Sequence, residues 1–114
     1  MVGASRDRSK FGNKVLRTYL RNDMPVFAVN PNVRGDIEGV ATVATLADLP
    51  EAVHGVSIIT PPHVTEQIVE DAIAAGIRHL WMQPGAESSR AIARAEAAGI
   101  DVIAGGPCIL VELP

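Results

Sequence analysis

The stretch "GVSIITPPHVTEQIVEDAIAAGIRHLWMQPG", residues 55–85, contains one complete strand–helix–strand unit. Residues 55–60 form a short apolar run rich in β-branched side chains, which is typical of a buried strand. Two prolines follow, and proline suits the first turn of a helix because it has no N–H group to leave unpaired there. Five apolar residues then lie on one helical stripe before the helix stop at Gly76: Val64, Ile68, Val69, Ala72 and Ile73. Residues 77–85 return to strand character.

The same alternation extends in both directions from this unit. Downstream, residues 86–99 predict a helix and residues 100–106 a strand; upstream, "PVFAVNPN" at 25–32 predicts a strand that ends in a turn. Residues 33–50 predict a loop, a short strand and a helix of one or two turns. A first helix is marked by Val15, Leu16, Tyr19 and Leu20. The pattern predicts an α/β fold, a doubly wound parallel sheet of about five strands in the Rossmann-like class, with residues 1–114 forming a single domain.

Composition narrows the class of protein. With 47% hydrophobic residues in 114, the chain can bury a core of its own. It has one cysteine and no apolar run near twenty residues, so we expect a cytoplasmic protein with neither a membrane span nor an internal disulfide. The net charge of −3 gives no reason to expect a nucleic-acid partner.

The distribution of charge is more informative than its sum. Residues 1–21 hold six cationic side chains against one acid, Asp7, a net charge of +5, so that the rest of the chain carries −8. This cationic segment contains the first glycine-bearing loop, where a polyanionic ligand would need it. A solvated cationic helix face is the alternative.

The carboxyl ends of the predicted strands define the candidate site, since ligands of open parallel sheets bind there. These ends are residues 3–5, 30–31, 60–62 (beginning at Thr60), 83–85 and 105–108. The first loop does not match the dinucleotide-binding pattern Gly-x-Gly-x-x-Gly, because no glycine follows Gly3 until Gly12. Asn30 also stands where an acid would hold the ribose of NAD. The longer, cationic loop suits a ligand with more phosphate charge than a pyrophosphate, such as coenzyme A (CoA).

Several motifs in the right order carry a resemblance over almost the whole chain: "VGASRDRSKFGNKV", "FAVNPN", "TPPHVTEQIVEDAIAAGIRHLWMQPGAES" and "AEAAGIDVIAGGPCI". The chain resembles the small stand-alone CoA-binding proteins, which are similar to the N-terminal CoA-binding domain of succinyl-CoA synthetase alpha chains and of acyl-CoA synthetases. The resemblance implies that the CoA phosphates are held by Gly3, Ala4, Ser5, Lys10, Gly12 and Asn13. It places Asn30 and Pro31 towards the nucleotide. It implies that the pantetheine arm and thiol end lie near Pro61, Pro62, His63, Gln83, Gly85 and the segment containing Cys108.

Other side chains leave alternatives open. Arg6 and Arg8 could reach a 3′-phosphate or point into solvent. Cys108 could form a mixed disulfide with the CoA thiol or be a small buried hydrophobe. The histidines have no companions at metal-ligand spacing, so no metal site is expected.

No catalytic constellation can be assembled at the strand ends. We therefore expect a CoA or acyl-CoA binding protein without catalysis of its own. Two alternatives stay open: an NAD(P)-dependent or other nucleotide-dependent enzyme that uses the same crevice, and the CoA-binding subunit of a multi-chain acyl-CoA ligase. A homodimer also stays open.

The first predicted strand is unusually short. Only Met1 and Val2 precede Gly3, although this strand belongs in the middle of a doubly wound sheet. The expectation is that the natural start lies upstream of Met1 or that the sheet tolerates a shortened central strand.

Overall fold

A computed structural model describes residues 1–33 and 35–104 of the chain. Three α-helices alternate with the strands: α1 (Phe11–Arg21), α2 (Pro62–Ala74) and α3 (Ser89–Ala97). The strands are β1 (Ala28–Val29), β2 (Thr42–Val43), β3 (Val56–Ile58), β4 (His79–Met82) and β5 (Asp101–Ile103), and a 3₁₀ turn spans Leu46–Asp48. The predicted order of elements is confirmed, and the α/β, Rossmann-like class with it.

Among the described residues the strand pairs are parallel and fall into two groups, β1–β2 and β3–β4–β5. Val2 joins the groups, since it forms parallel bridges with Val29 on one side and Ile58 on the other. The Val2 amide donates to the Ser57 carbonyl at 2.8 Å, and the Val29 amide donates to the Met1 carbonyl at 2.9 Å. The expected sheet of about five strands is thus two ladders, of two and three strands, connected through one residue.

The helices cover both faces of this sheet. Alternate residues of β4 separate the two sides: Leu80 and Met82 belong to a buried cluster with Val69 of α2 and Ala95 of α3. Trp81, between them, packs instead against a second cluster that contains Leu16 of α1. Strands buried on both faces explain the near-continuous apolar runs in the sequence.

The starts of α2 and α3 follow from the local chemistry of proline and serine. Pro61 is the N-cap of α2 and Pro62 its first residue, as the sequence predicts. Ser88 caps α3, and its hydroxyl accepts a hydrogen bond from the Ala91 amide at 3.2 Å.

A tight antiparallel turn between β1 and β2 was not predicted. Ile37 and Val40 exchange backbone hydrogen bonds of 3.0 and 2.8 Å. The two residues between them, Glu38 and Gly39, have φ values of +50° and +79°. Two successive left-handed residues are the mark of a type I′ hairpin turn. Because Ile37 is fully buried and Val40 nearly so, this turn is anchored in the cluster under α1.

Candidate functional site

The strand ends converge as predicted on one edge of the sheet. The segment after Val2 lies between those that follow β1 and β3, because Val2 bridges both strands. The Gln83 amide, just after β4, donates to the Ile58 carbonyl of β3 at 3.0 Å. Residues 3–5, 30–31, 60–62 and 83–85 therefore lie along one edge of the sheet, where the sequence predicts the crevice. Residues 105–108, including Cys108, lie outside the described residues.

The loop from Gly3 to Lys10 is called the phosphate loop after the role predicted for it from the sequence. It enters α1 through a close contact between two glycines. Gly3 has a φ of +99°, and a Cβ there would lie 2.0 Å from the Ile59 carbonyl oxygen. A Cβ on Gly12 would lie 2.1 Å from the Gly3 carbonyl oxygen. Neither position accommodates a side chain without movement of the backbone. The two glycines let the first turn of α1 lie directly on the start of the loop.

Asn13 fixes the loop from the helix side. Its side chain is fully buried, and its Nδ2 donates to the Ser5 carbonyl at 2.8 Å and to Glu38 Oε2 at 3.2 Å. Its Oδ1 accepts from Arg17 Nε at 2.7 Å. The structure thus gives Asn13 a supporting role towards the loop backbone, and contact with a phosphate stays a prediction.

Asn30 fixes the same loop from the strand side. Its Nδ2 donates to the Ala4 carbonyl at 2.7 Å, and its Oδ1 accepts from the Asn32 amide at 2.9 Å. Ala4 is fully buried and Pro31 is exposed. Two asparagines, one from each neighbouring element, therefore hold consecutive carbonyls of the phosphate loop.

The interior of the loop is closed by short side chains. The Ser5 hydroxyl accepts from the Asp7 amide at 3.1 Å, and Asp7 Oδ1 accepts from the Ser9 amide and hydroxyl at 3.0 and 2.6 Å. The hydrogen bonds from Ser9 lower the pKa of Asp7 below its usual value. The Asp7 carboxylate thus satisfies the backbone and side-chain donors of Ser9 within the loop.

The cations near the loop differ in their partners. Arg6 donates to the Asp36 carbonyl at 3.2 Å, and Arg8 lies 3.8 Å from Glu38. Arg17 is committed to structure, since it bonds Asn13 and donates to the Arg8 carbonyl at 3.0 Å. Lys10 is exposed, and across residues 1–33 and 35–104 the structure records no hydrogen bond or ion pair of its ammonium.

Lys10 is also the N-cap residue of α1. The Lys10 side chain makes no capping hydrogen bond to this helix, and no acid lies in its first turn. The N–H groups at the start of an α-helix and the helix dipole favour anions. The chemistry at this point of the crevice suits a phosphate group.

The segment predicted to lie along the pantetheine arm is exposed. Pro61, Pro62 and His63 all face solvent at the start of α2. Thr60 is half-buried, and its hydroxyl shares a 2.8 Å hydrogen bond with that of the fully buried Thr65. Thr60 thus secures the turn from β3 into α2.

Gln83 and Gly85 lie in the next turn of the crevice. Gln83 is fully buried, and its carbonyl accepts from the Ala86 amide at 2.9 Å. Gly85 has a φ of +93°, and its amide donates to Glu87 Oε1 at 2.6 Å. The positive φ explains the glycine in "QPG".

A cavity of about 530 Å³ lies at the opposite, amino-terminal edge of the strands. Its lining includes Met1, Phe27, Gly55, His79 and Asp101, which precede or begin strands, and it includes none of the predicted site residues. Trp81 lines this cavity rather than the crevice. This cavity therefore lies away from the strand ends that hold the phosphate loop.

Two supporting residues were missed by sequence reasoning. Arg17 lies four residues after Asn13, and that spacing places both on one helix face, so the pair was in principle detectable. Glu38 is 25 residues from Asn13 and reaches it only through the turn at 37–40. No local pattern marks that contact. Among the described residues, no cluster of three potential metal ligands occurs, and no helix there is long and apolar enough to cross a membrane.

The parallel sheet, the helices on both faces and the glycine-bearing loop that enters the first helix define a Rossmann-like α/β protein. Within that class, the chain belongs to the CoA-binding domain family, which it matches over residues 1–114. The resemblance inferred from the sequence motifs is confirmed.

Solved structures agree with this assignment. A conserved hypothetical protein from Pyrococcus furiosus is 39% identical, with a TM-score of 0.90 over 97% of this chain and 94% of that chain. A hypothetical protein from Pyrococcus horikoshii OT3 is 28% identical, with a TM-score of 0.91 over 97% of this chain and 77% of that one. The dinucleotide forming acetyl-coenzyme A synthetase 1 of Ca. Korarchaeum cryptofilum, in complex with phosphate and ADP, is 26% identical. Its TM-score is 0.80 over 90% of this chain but 24% of the synthetase chain.

Proposed function

We propose that the chain binds CoA or an acyl-CoA, with the phosphates at the phosphate loop and the first turn of α1, and that it has no catalysis of its own. The observation that carries this proposal is the loop between Gly3 and Lys10. It is held by two asparagines and leads into a helix start whose N-cap residue, Lys10, makes no capping hydrogen bond through its side chain. Such a start supplies N–H donors to an anion.

The charge around the loop supports a ligand with several phosphates. Lys10, Arg6 and Arg8 are all exposed in or next to the loop, and Asp7 is the one acid among residues 1–21. CoA carries a pyrophosphate and a separate 3′-phosphate, which matches several spaced cations better than NAD does.

The proposed route of the ligand is the one that the resemblance to the CoA-binding proteins implies. We place the nucleotide beside Asn30 and Pro31, and the pantetheine arm along Pro61, Pro62 and His63 towards Gln83 and Gly85. The exposure of residues 61–63 leaves that path accessible.

Calorimetric titration with CoA, dephospho-CoA and NAD tests this function. We expect CoA to bind most tightly and dephospho-CoA more weakly, because dephospho-CoA lacks one phosphate. Tighter binding of NAD than of CoA would contradict the proposal and favour a nucleotide-dependent oxidoreductase. Mass spectrometry of small molecules released from the purified protein gives an independent reading of the natural ligand.

A CoA-binding subunit of a multi-chain acyl-CoA ligase is a second candidate. It is favoured by the likeness to a part of the acetyl-coenzyme A synthetase chain, of which this chain matches 24%. Co-purification with a ligase chain, followed by acyl-CoA formation only when both chains are present, would support this role. CoA binding without any such partner would favour the stand-alone binding protein.

A further inference from the structure

Glu38 is the acidic side chain that the turn at 37–40 directs against the phosphate loop. Its Oε2 accepts from Asn13 Nδ2 at 3.2 Å and lies 3.8 Å from Arg8 Nε. Its side chain is only 23% exposed, whereas that of Arg8 is 66% exposed. One carboxylate thus contacts both the asparagine that holds the loop and a cation of the loop.

The turn makes a further contact with the loop through its backbone. The Asp36 carbonyl accepts from Arg6 Nε at 3.2 Å. Ile37 and Val40 anchor the turn in the cluster under α1, so its position is fixed by burial. Glu38 is one of two non-glycine residues with positive φ among the described residues, and glycine or asparagine suits such a position better. Local turn preference therefore does not explain a glutamate here, whereas its two contacts with the loop region do.

We propose that Glu38 is a positioning residue of the phosphate loop and that it acts as the counter-charge of Arg8 until a phosphate group replaces it. This inference rests on the proposed CoA site. Through Asn13, the carboxylate keeps the Ser5 carbonyl in place. Through Arg8, it holds a cation at the mouth of the site, and the guanidinium exchanges its carboxylate partner for a ligand phosphate.

Two variants of Glu38 separate its positioning role from its counter-charge role. Glu38→Gln keeps an oxygen that can accept from Asn13 but removes the charge, whereas Glu38→Ala removes both. We expect Glu38→Gln to bind CoA roughly 3- to 10-fold more tightly than the wild type at about 20 mM salt, with the gain falling below about twofold at about 300 mM salt. We expect Glu38→Ala to bind CoA several-fold more weakly than Glu38→Gln.

Two controls make the result specific. Glu96→Gln removes an equal charge from an exposed position of α3, and it should leave CoA affinity unchanged. In a double-variant cycle, Arg8→Gln should abolish the gain caused by Glu38→Gln. A gain that persists in the Arg8→Gln background, or no gain at low salt, would overturn the counter-charge role.

The positioning role has a readout that needs no ligand. By hydrogen exchange, the amides of Asp7, Ser9 and Lys10 should exchange at least about threefold faster in Glu38→Ala and within about twofold of wild type in Glu38→Gln. Equal exchange in the two variants would overturn the positioning role. Failure of the wild type to bind CoA would instead refute the proposed function and the counter-charge role with it, and the exchange result would still decide the positioning role.

Discussion

The carbonyl oxygen of Gly3 occupies the space where a side chain on Gly12 would begin, 2.1 Å from an ideal Cβ position. The phosphate loop closes because these two residues, nine positions apart, meet without side chains. The eight-residue gap that distinguishes this loop from the dinucleotide fingerprint is therefore compatible with a tight strand-to-helix junction.

Gly12→Ala tests this contact. Alanine favours a helix over glycine by about 1 kcal/mol, but the backbone must move to admit the methyl group, so we expect a net loss of about 1–3 kcal/mol in the free energy of unfolding. Urea unfolding measures this change in the free energy of unfolding. Lys14→Ala, at an exposed position of α1, serves as the control and should change stability by less than about 0.5 kcal/mol. A Gly12→Ala protein as stable as the control would show that the junction is loose.

Lys10→Ala tests the cation at the start of α1. A charge-assisted hydrogen bond contributes about 1.5–3 kcal/mol, so its loss should weaken CoA binding about 10- to 100-fold. Lys14→Ala removes the same charge one turn further along the helix and should change affinity by less than about threefold. Equal effects of the two variants in calorimetry would mean that only the general field of the cationic segment attracts the ligand.

Asn30→Asp tests the strand-side support of the loop. The aspartate cannot donate to the Ala4 carbonyl and places a negative charge beside it, so we expect a loss of about 1–3 kcal/mol in stability and weaker CoA binding. Asn32→Asp adds the same charge two residues away at an exposed position. If both variants weaken binding equally while stability is unchanged, the charge matters and the hydrogen bond does not.

The α-amino group of Met1 predicts a pH dependence of stability. Burial lowers its pKa from 8.0 to about 5, and it donates to the Phe27 carbonyl at 2.6 Å. Between these two pKa values the unfolded chain binds more protons than the folded one, so stability rises as pH increases from about 5 to about 8, by up to about 4 kcal/mol. Urea unfolding across this range measures the slope for a polypeptide whose first residue is Met1.

An extended chain provides the comparison. Four or five β-branched residues placed before Met1 remove the amino group from its buried position and can pair with the neighbouring strands. We expect a flatter pH profile, a higher melting temperature and tighter CoA binding. An unchanged slope would assign the pH dependence to other groups.

The sequence was most informative where structure depends on local pattern. The repeated strand–helix alternation predicted the parallel fold, and the double proline predicted the start of α2, because each signal lies within a few neighbouring residues. The four predicted strand-end segments that the structure describes also lie at one edge of the sheet, since parallel strands bring their carboxyl ends together.

The remaining features depend on contacts between distant residues. Asn13 and Asn30 were predicted as ligand residues, which stays a prediction; that their amides hold backbone carbonyls of the loop was not predicted. The contacts of Glu38 depend on the turn at 37–40, and a glutamate is not a residue that favours the left-handed conformation this turn requires. They therefore could not be predicted from the sequence. Such contacts are fixed by tertiary packing, which a periodic pattern does not encode.

The bridges of Val2 have a mechanical consequence. The amides of Val29 and Ile59, on opposite sides of Val2, both donate to the first two residues of the chain. Detachment of this short segment would separate the β1–β2 ladder from the β3–β4–β5 ladder, and it would release the base of the phosphate loop in the same event. We therefore expect residues 1–114 to unfold in one transition. A bound ligand should stabilise the contact between the two ladders against this separation.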